Sequence, residues 1–197
     1  MKVRPLEQGK GTEAAHALAA AFQADPVMTW VNPDPTTRRR RVRAGFSLFM
    51  KRFWLPDGEV FEAGPEPAGV AAWLPPGGWH LSLRRQLAMT PSLLRIAGMS
   101  GPRFLQVTTM VEKRHPKADH WYLVALGVKP EHQGRGFGSK LMFPILERCD
   151  REGTPAYLES SSPGSRALYE RHGFKVTEEL RLPKGGPPIW LMWREPS

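Results

Sequence analysis

The sequence predicts a mixed α/β fold, a sheet of about six to seven strands with helices on both faces. Three observations lead there. Runs with strand and helix periodicity follow one another along the chain. Residues 121–128 are apolar on both sides, with Trp121, Leu123 and Ala125 on one and Tyr122, Val124, Leu126 and Val128 on the other. Such a segment reads as a central strand buried on two faces. The third is size: 197 residues with 41% hydrophobic content suffice for one domain, residues 1–197, with a sizeable core.

The elements follow in order. Residues 1–7 are expected to form a short first strand. Thr12 is placed to cap a helix over 13–23, ended by Asp25-Pro26. A second helix is expected from Thr36 or Thr37 to Phe53, with Pro56-Asp57-Gly58 as the turn behind it. Residues 59–62 and 69–74 read as a hairpin split by Gly64-Pro65-Glu66-Pro67, and Pro75-Pro76-Gly77-Gly78 then breaks the chain. Residues 79–118 hold helix-like pieces near 80–89, 91–97 and 102–113, the middle one opened by Thr90 as cap and Pro91 in the first turn. Gly127 interrupts the central strand, which marks a bulge or a close backbone approach. A helix over 138–150 follows, with Pro144 inside it and a kink expected there. Residues 155–160 look like the next strand, and after a further helix Gly173 is the stop and Phe174 opens a strand.

The most informative stretch joins the central strand to its helix. Pro130 opens a loop, Gly134, Gly136 and Gly138 follow at alternate positions, and Leu141, Met142, Ile145, Leu146 and Cys149 recur at helical spacing. Glycines let backbone N–H groups converge on an anion, and a helix N-terminus adds about half a positive charge. A Walker loop is excluded, because Gly138 is followed by Ser139-Lys140 in the wrong order. A dinucleotide fingerprint is excluded by the G-x-G-x-G spacing. The match is to Q-x-x-G-x-G, spelled by Gln133, Gly136 and Gly138.

With Gln133-Gly134-Arg135-Gly136-Phe137-Gly138 after Val128-Lys129-Pro130, the segment closely resembles the pyrophosphate loop of the GCN5-related N-acetyltransferase (GNAT) superfamily. Residues 162–174 resemble that superfamily's last helix, with the ending Leu168-Tyr169-Glu170-Arg171-His172-Gly173-Phe174. A looser likeness to puromycin N-acetyltransferase-like members runs through the tail to Trp190-Leu191-Met192 and touches Ala19-Ala20-Ala21-Phe22. The resemblance implies a centrally splayed sheet, acetyl-CoA as co-substrate and acetyl transfer to a small-molecule amine. It also implies a cofactor site made of Gln133, Gly134, Arg135, Gly136, Phe137, Gly138 and Ser139, of main-chain groups of Leu126 and Val128, and of Ser162, where many relatives carry an asparagine.

Composition narrows the classes. There is a single cysteine, Cys149, on the apolar face of the glycine-loop helix, so no disulfide framework exists within the chain and Cys149 reads as core. No 18-residue apolar run is present, the start Met1-Lys2-Val3-Arg4-Pro5 does not read as a signal peptide, and a cytoplasmic protein without a membrane partner is expected. The net charge is +9 and the pI about 10.1. That field favours polyanions, but no zinc-ligand spacing or nucleic-acid reader motif accompanies it, so no nucleic acid and no metal are expected. The Arg38-Arg39-Arg40-Arg41 run reads as a solvated helix face, or as a contact for CoA or an acidic partner. A monomer or homodimer is expected.

Acetyl transfer to an amine needs a proton acceptor, a polarised thioester carbonyl and a stabilised leaving thiolate. Tyr169 stands where the superfamily carries a tyrosine general acid, and the resemblance gives it the thiolate's proton. For the base, Glu159 on the strand after the loop and His120 at the mouth of the central strand are the candidates, with water alone as a third option. The plainer readings are an arginine-paired carboxylate and a solvent-facing histidine. The acceptor site is expected from the first two helices and a helical insertion over 79–118, with Asp25 placed to orient an ammonium or simply to end the first helix. Two other classes compete: a CoA-binding sensor without turnover, and a basic nucleic-acid or membrane-surface protein.

Overall fold

The computed structural model describes residues 2–7, 9–64 and 66–197. Met1 of the expected first strand and Pro65 of the expected hairpin turn lie outside the described residues. Seven strands form one sheet in the order β1-β2-β3-β4-β5-β7-β6. They are β1 (Val3–Pro5), β2 (Glu59–Ala63), β3 (Gly69–Leu74), β4 (Trp121–Val128), β5 (Ala156–Ser160), β6 (Lys175–Arg181) and β7 (Pro188–Arg194). Every neighbouring pair is antiparallel except β4–β5.

That parallel pair governs the molecule. It is short, with Trp121 opposite Ala156, Tyr122 opposite Tyr157 and Leu123 opposite Leu158. Beyond Leu123 the strands part, as the resemblance implied. The cause lies on the other side of β4. Ala72 pairs with Ala125 and Trp73 with Leu123, so Val124 has no partner on β3. An extra residue on one strand bends it and increases its twist, and here the bend leads β4 away from β5.

The bulge is therefore at Val124 and not at Gly127. Gly127 keeps register with Val70. Its missing side chain admits the first helix, since a Cβ there would lie 2.9 Å from Ala21 Cβ and 3.0 Å from Leu18 Cδ2. Of the two meanings an interior strand glycine carries, close approach is the one realised.

Helices cover both faces. On one side α1 (Gly11–Ala21), the α3 helix (Pro35–Phe49) and a π-helical turn (Met50–Trp54) running into α4 (Leu55–Asp57) pack Leu18, Met50, Phe53 and Trp54 on Val70, Ala72 and Leu74. On the other, α7 (Phe137–Glu152) and α8 (Pro163–Glu170) pack Leu141, Met142, Ile145 and Tyr169 on Trp73, Leu123 and Leu158. A third cluster joins α2 (Pro26–Val31) and α6 (Gly101–Glu112) to the outer strands through Val27, Val31, Tyr157, Leu180 and Leu191. Cys149 is fully buried, and burial pushes its thiol up to about 11, as befits a core residue.

Several local expectations are corrected. Thr12 lies in the first turn of α1 rather than before it, and Lys10 at the cap position makes no side-chain capping bond. Asp25-Pro26 does not end a helix but starts one. The Asp25 carboxylate accepts the Met28 N–H at 2.9 Å and Pro26 takes the first helical position, a cap worth about 1 kcal/mol. Asp34 caps α3 in the same way, through Thr37 N–H at 2.6 Å. Thr90 caps nothing. The helix α5 (Leu83–Ala97) runs through Pro91, and Thr90 Oγ1 donates one turn back to Gln86 O at 2.7 Å. Position 91 is tolerable there because the Leu87 turn it interrupts is exposed. Among the described residues no helix is long and apolar enough to cross a membrane.

Candidate active site

The parting of β4 and β5 opens a cleft of about 760 Å3. One wall is Leu123 to Val128. Lys129 N–H donates to Ala68 O at 2.8 Å, so residues 127 and 129 face β3. By strand alternation Leu126 and Val128 turn their main-chain groups the other way, to the side β5 has left. The far wall is Glu159, Ser161, Ser162, Leu168 and Tyr169, and the floor is the start of α7.

The glycine loop is shaped by three different demands. Gly134 (φ 71°) and Gly136 (φ 77°) are left-handed, a region that favours glycine. Gly136 is also the cap residue of α7, and the first helical bond runs from Lys140 N–H to its carbonyl at 3.2 Å. The N–H groups before Lys140 are thus left for a ligand. Gly138 serves packing instead, because a Cβ there would sit 2.9 Å from Leu168 Cδ2. Gln133 Nε2 donates to Val128 O at 3.0 Å and braces the loop against β4. An anion cradle, unpaired strand groups and an open cleft together suit a long phosphorylated thioester such as acetyl-CoA.

All the expected cofactor residues line the cleft except Arg135, which points out and shares a 3.3 Å contact with His132 Nδ1. Ser162 lines it while capping α8, accepting Ser165 N–H at 3.2 Å. The Arg38–Arg41 run is not wholly a solvated face. Arg38 donates to Asn32 O and Pro33 O, Arg41 to Ser100 Oγ at 2.6 Å, and none of the four lines the cleft.

The sequence profile of the acetyltransferase (GNAT) family matches residues 52–174, more than half of the chain. The chain belongs to this family. GNAT acetyltransferases use acetyl-CoA, and the protein is an N-acetyltransferase by kinship as well as by profile. It is 30% identical to an uncharacterized N-acetyltransferase of Schizosaccharomyces pombe over 100% of this chain and 84% of the relative. A Corynebacterium glutamicum structure described as histone acetyltransferase HPA2 and related acetyltransferase superposes with a TM-score of 0.75 at 27% identity, covering 100% and 96% of the two chains. A mosquito protein described as arylalkylamine N-acetyltransferase like 5b shares the fold with a TM-score of 0.61 at 14% identity, over 98% and 99% of the chains.

In this acetyltransferase the cleft is lined by five titratable residues, Asp25, His132, Glu159, Tyr169 and Arg171. Tyr169 is buried on α8, its ring 6.1 Å from Phe174, and burial followed by the Asp25 charge raises its phenol well above the ordinary value. Asp25 is raised too, by burial, which outweighs its bonds from Ser161 and from the start of α2.

Glu159 is not the arginine-paired carboxylate of the plainer reading. Tyr122 Oη donates to its Oε2 at 2.7 Å, and His115 Nδ1 stands 3.7 Å from its Oε1. His120 is not solvent-facing and does not line the cleft. It is 2% exposed, set among His115, Tyr122, Tyr157 and Trp193, with its pKa lowered chiefly by burial. Its Nδ1 meets Ala118 O at 2.6 Å and its Nε2 meets His115 Nε2 at 3.1 Å. A carbonyl only accepts, so His120 carries its proton on Nδ1 and accepts at Nε2. His115 then donates from Nε2, and its Nδ1 faces Glu159 Oε1. The result is a buried chain from the cleft through Glu159 and His115 to His120.

His115 was not singled out from the sequence. It ends the 79–118 segment under Trp79, whose ring lies 3.8 Å away. The available signal was a pair of histidines five apart just before the central strand. Arg171 was quoted only as part of the terminal motif, yet it lines the cleft.

Proposed function

We propose that the whole chain acts as one catalytic unit that transfers the acetyl group of acetyl-CoA to a primary amine of a small molecule, by direct attack in a ternary complex. The observation that supports this most is the convergence on one cleft of the α7 N-terminus, the outward-turned groups of Leu126 and Val128, and the side chains of Glu159 and Tyr169. Acetyl-CoA supplies an electrophilic thioester carbonyl with a thiolate as leaving group.

The chain's own residues do the rest. N–H groups of Gly134 to Ser139 hold the pyrophosphate, helped by the helix field. Leu126 and Val128 hold the pantetheine arm through their main chain, and Val128 N–H polarises the carbonyl. As the C–N bond forms and the C–S bond breaks, one proton leaves nitrogen and one reaches sulfur. Glu159 receives the first. Tyr122 fixes its carboxylate, and His115 Nδ1 stands beside it at 3.7 Å. Tyr169 gives the second proton and is recharged from solvent. Burial raises the phenol, but the same burial raises a thiolate beside it, so the transfer stays feasible.

Release of free thiol from acetyl-CoA, measured across a panel of amines that includes puromycin, tests this. Amine-dependent release is expected. Tight CoA binding with no amine-dependent release would leave a CoA-binding sensor instead.

A further inference from the structure

A second cavity, of about 220 Å3, adjoins the cofactor cleft. The two spaces share Phe22 and Val124 as walls. Val124 is the bulged residue of β4, so the cavity meets the cleft where the sheet parts. Its interior is aromatic. Phe22 stands 5.1 Å from Phe46, Phe46 5.7 Å from Trp54, and Trp54 stacks on Phe49 at 5.8 Å. Phe104 of α6 closes the far side.

Charge is as informative as shape. No described aspartate or glutamate lines this cavity, and its single ionised lining residue is Arg41, already held by Ser100 Oγ at 2.6 Å and Asn32 Oδ1 at 3.3 Å. A second ammonium, as in a polyamine, would enter a carbon-walled space with no carboxylate and a guanidinium at its rim. Burying a charge without a partner is strongly unfavourable. An apolar body gains by the same burial. The volume is below the roughly 300–1,000 Å3 of pockets for drug-sized ligands, which limits that body to one ring system or a short branched chain. The amine end is left on the side of Phe22 and Val124, toward the cleft that also holds Asp25 and Glu159.

We propose that this cavity is the acceptor subsite and selects a small apolar monoamine, of the arylalkylamine kind, over polyamines. The proposal rests on the N-acetyltransferase reading above.

Gly45 provides the test. It lines the cavity, and a Cβ built on it meets nothing within 4 Å, so a larger side chain enters the void rather than the backbone. Gly45→Phe fills the space, and Gly45→Leu is a smaller second filling should the first fail to fold. Thiol release is measured with 2-phenylethylamine, tryptamine, putrescine, agmatine and a peptide N-terminus. Binding of 2-phenylethylamine to the CoA-saturated protein is measured by calorimetry.

The aryl monoamines should exceed the diamines in kcat/KM by about 100-fold or more. Gly45→Phe should weaken 2-phenylethylamine about tenfold or more in both KM and Kd, with acetyl-CoA Kd and Tm unchanged. Preference for polyamines or the peptide, with Gly45→Phe and Gly45→Leu both silent, would overturn the inference and leave acetyl transfer standing. Calorimetric binding that Gly45→Phe abolishes, without thiol release from any amine, would sink the transferase reading and support the pocket.

Discussion

Replacing Tyr169 by phenylalanine separates chemistry from packing. The side chain is 6% exposed, and its ring meets Phe174 edge-on at 6.1 Å, a contact that the phenyl ring of the variant would keep. Only one oxygen and its proton are lost. General-acid contributions are typically about 10² to 10⁴-fold, which converts to roughly 2.7–5.4 kcal/mol of barrier. Burial and the Asp25 charge hold the phenol protonated beyond the ordinary tyrosine value of about 10. The wild-type kcat should therefore show no falling limb from Tyr169 up to about pH 10. The assay is steady-state thiol release at saturating acetyl-CoA, with acetyl-CoA Kd measured beside it. A fall in kcat of the stated size at unchanged Kd is the expected result. Turnover within a few-fold of wild type would make Tyr169 a packing residue. A loss that appears only in Kd would make its hydroxyl a cofactor contact.

Three further outcomes follow from the geometry. Gly136→Ala places a side chain in open space but at φ 77°, a strain of roughly 1–2 kcal/mol, and acetyl-CoA Kd should rise about tenfold; an unchanged Kd would remove the loop from the site. Gly127→Ala drives a Cβ to within 2.9 Å of Ala21 Cβ, so urea unfolding should show a loss of about 1–3 kcal/mol, and an unchanged midpoint would mean that α1 has slack. Asp25→Asn keeps the cap of α2 but removes a carboxylate whose pKa burial raises. The folded wild type binds that proton more tightly than the unfolded chain, so its stability falls as pH rises from about 3.9 through the raised value; the variant should melt higher at pH 7 and match wild type in acid, and equal melting at pH 7 would refute the argument.

Local pattern made the fold legible wherever one residue type had one use. The glycine loop, the two-sided strand Trp121–Val128 and the Gly173 stop needed no tertiary context. The misreadings fall where a residue has two uses and distant packing chooses. Asp25-Pro26 reads equally as a stop and as a start, and the turn at Phe22–Ala24 made it a start. Gly127 reads as bulge or contact, and α1 decided. The bulge itself falls on Val124, whose side chain carries no signal because the register of β3 against β4 creates it. The site was legible to the same extent. The loop positions expected to hold the cofactor line the cleft apart from Arg135, and of the terminal motif Leu168, Tyr169 and Arg171 do. His115 was invisible because its role arises from a segment with no strong local pattern folding back beneath Trp79 onto β5.

The bulge at Val124 also explains why polar cost gathers where it does. Bending β4 ends its pairing with β5 one residue before Glu159, so that carboxylate stands on a strand that has lost its neighbour. Around it lie Tyr122, Tyr157, His115 and His120, all deep in the protein, with both phenols raised by burial. Tyr157 Oη faces the carboxylate without reaching hydrogen-bond geometry, and Glu159 Oε1 likewise lacks a full protein partner. Each unsatisfied buried group costs about 1–3 kcal/mol. Trp73 Nε1, in the apolar cluster on one face of the sheet, is also without a partner, but the unpartnered groups at Glu159 and Tyr157 stand together at the parting of the strands. A chain selected for stability alone would fill the gap with another paired strand or with carbon. Keeping a loosely held carboxylate, two histidines linked nitrogen to nitrogen and a raised aspartate around one opening makes sense if protons move there. Because Val124 walls both the cleft and the aromatic cavity, the groups proposed to move protons sit where the two substrates would meet.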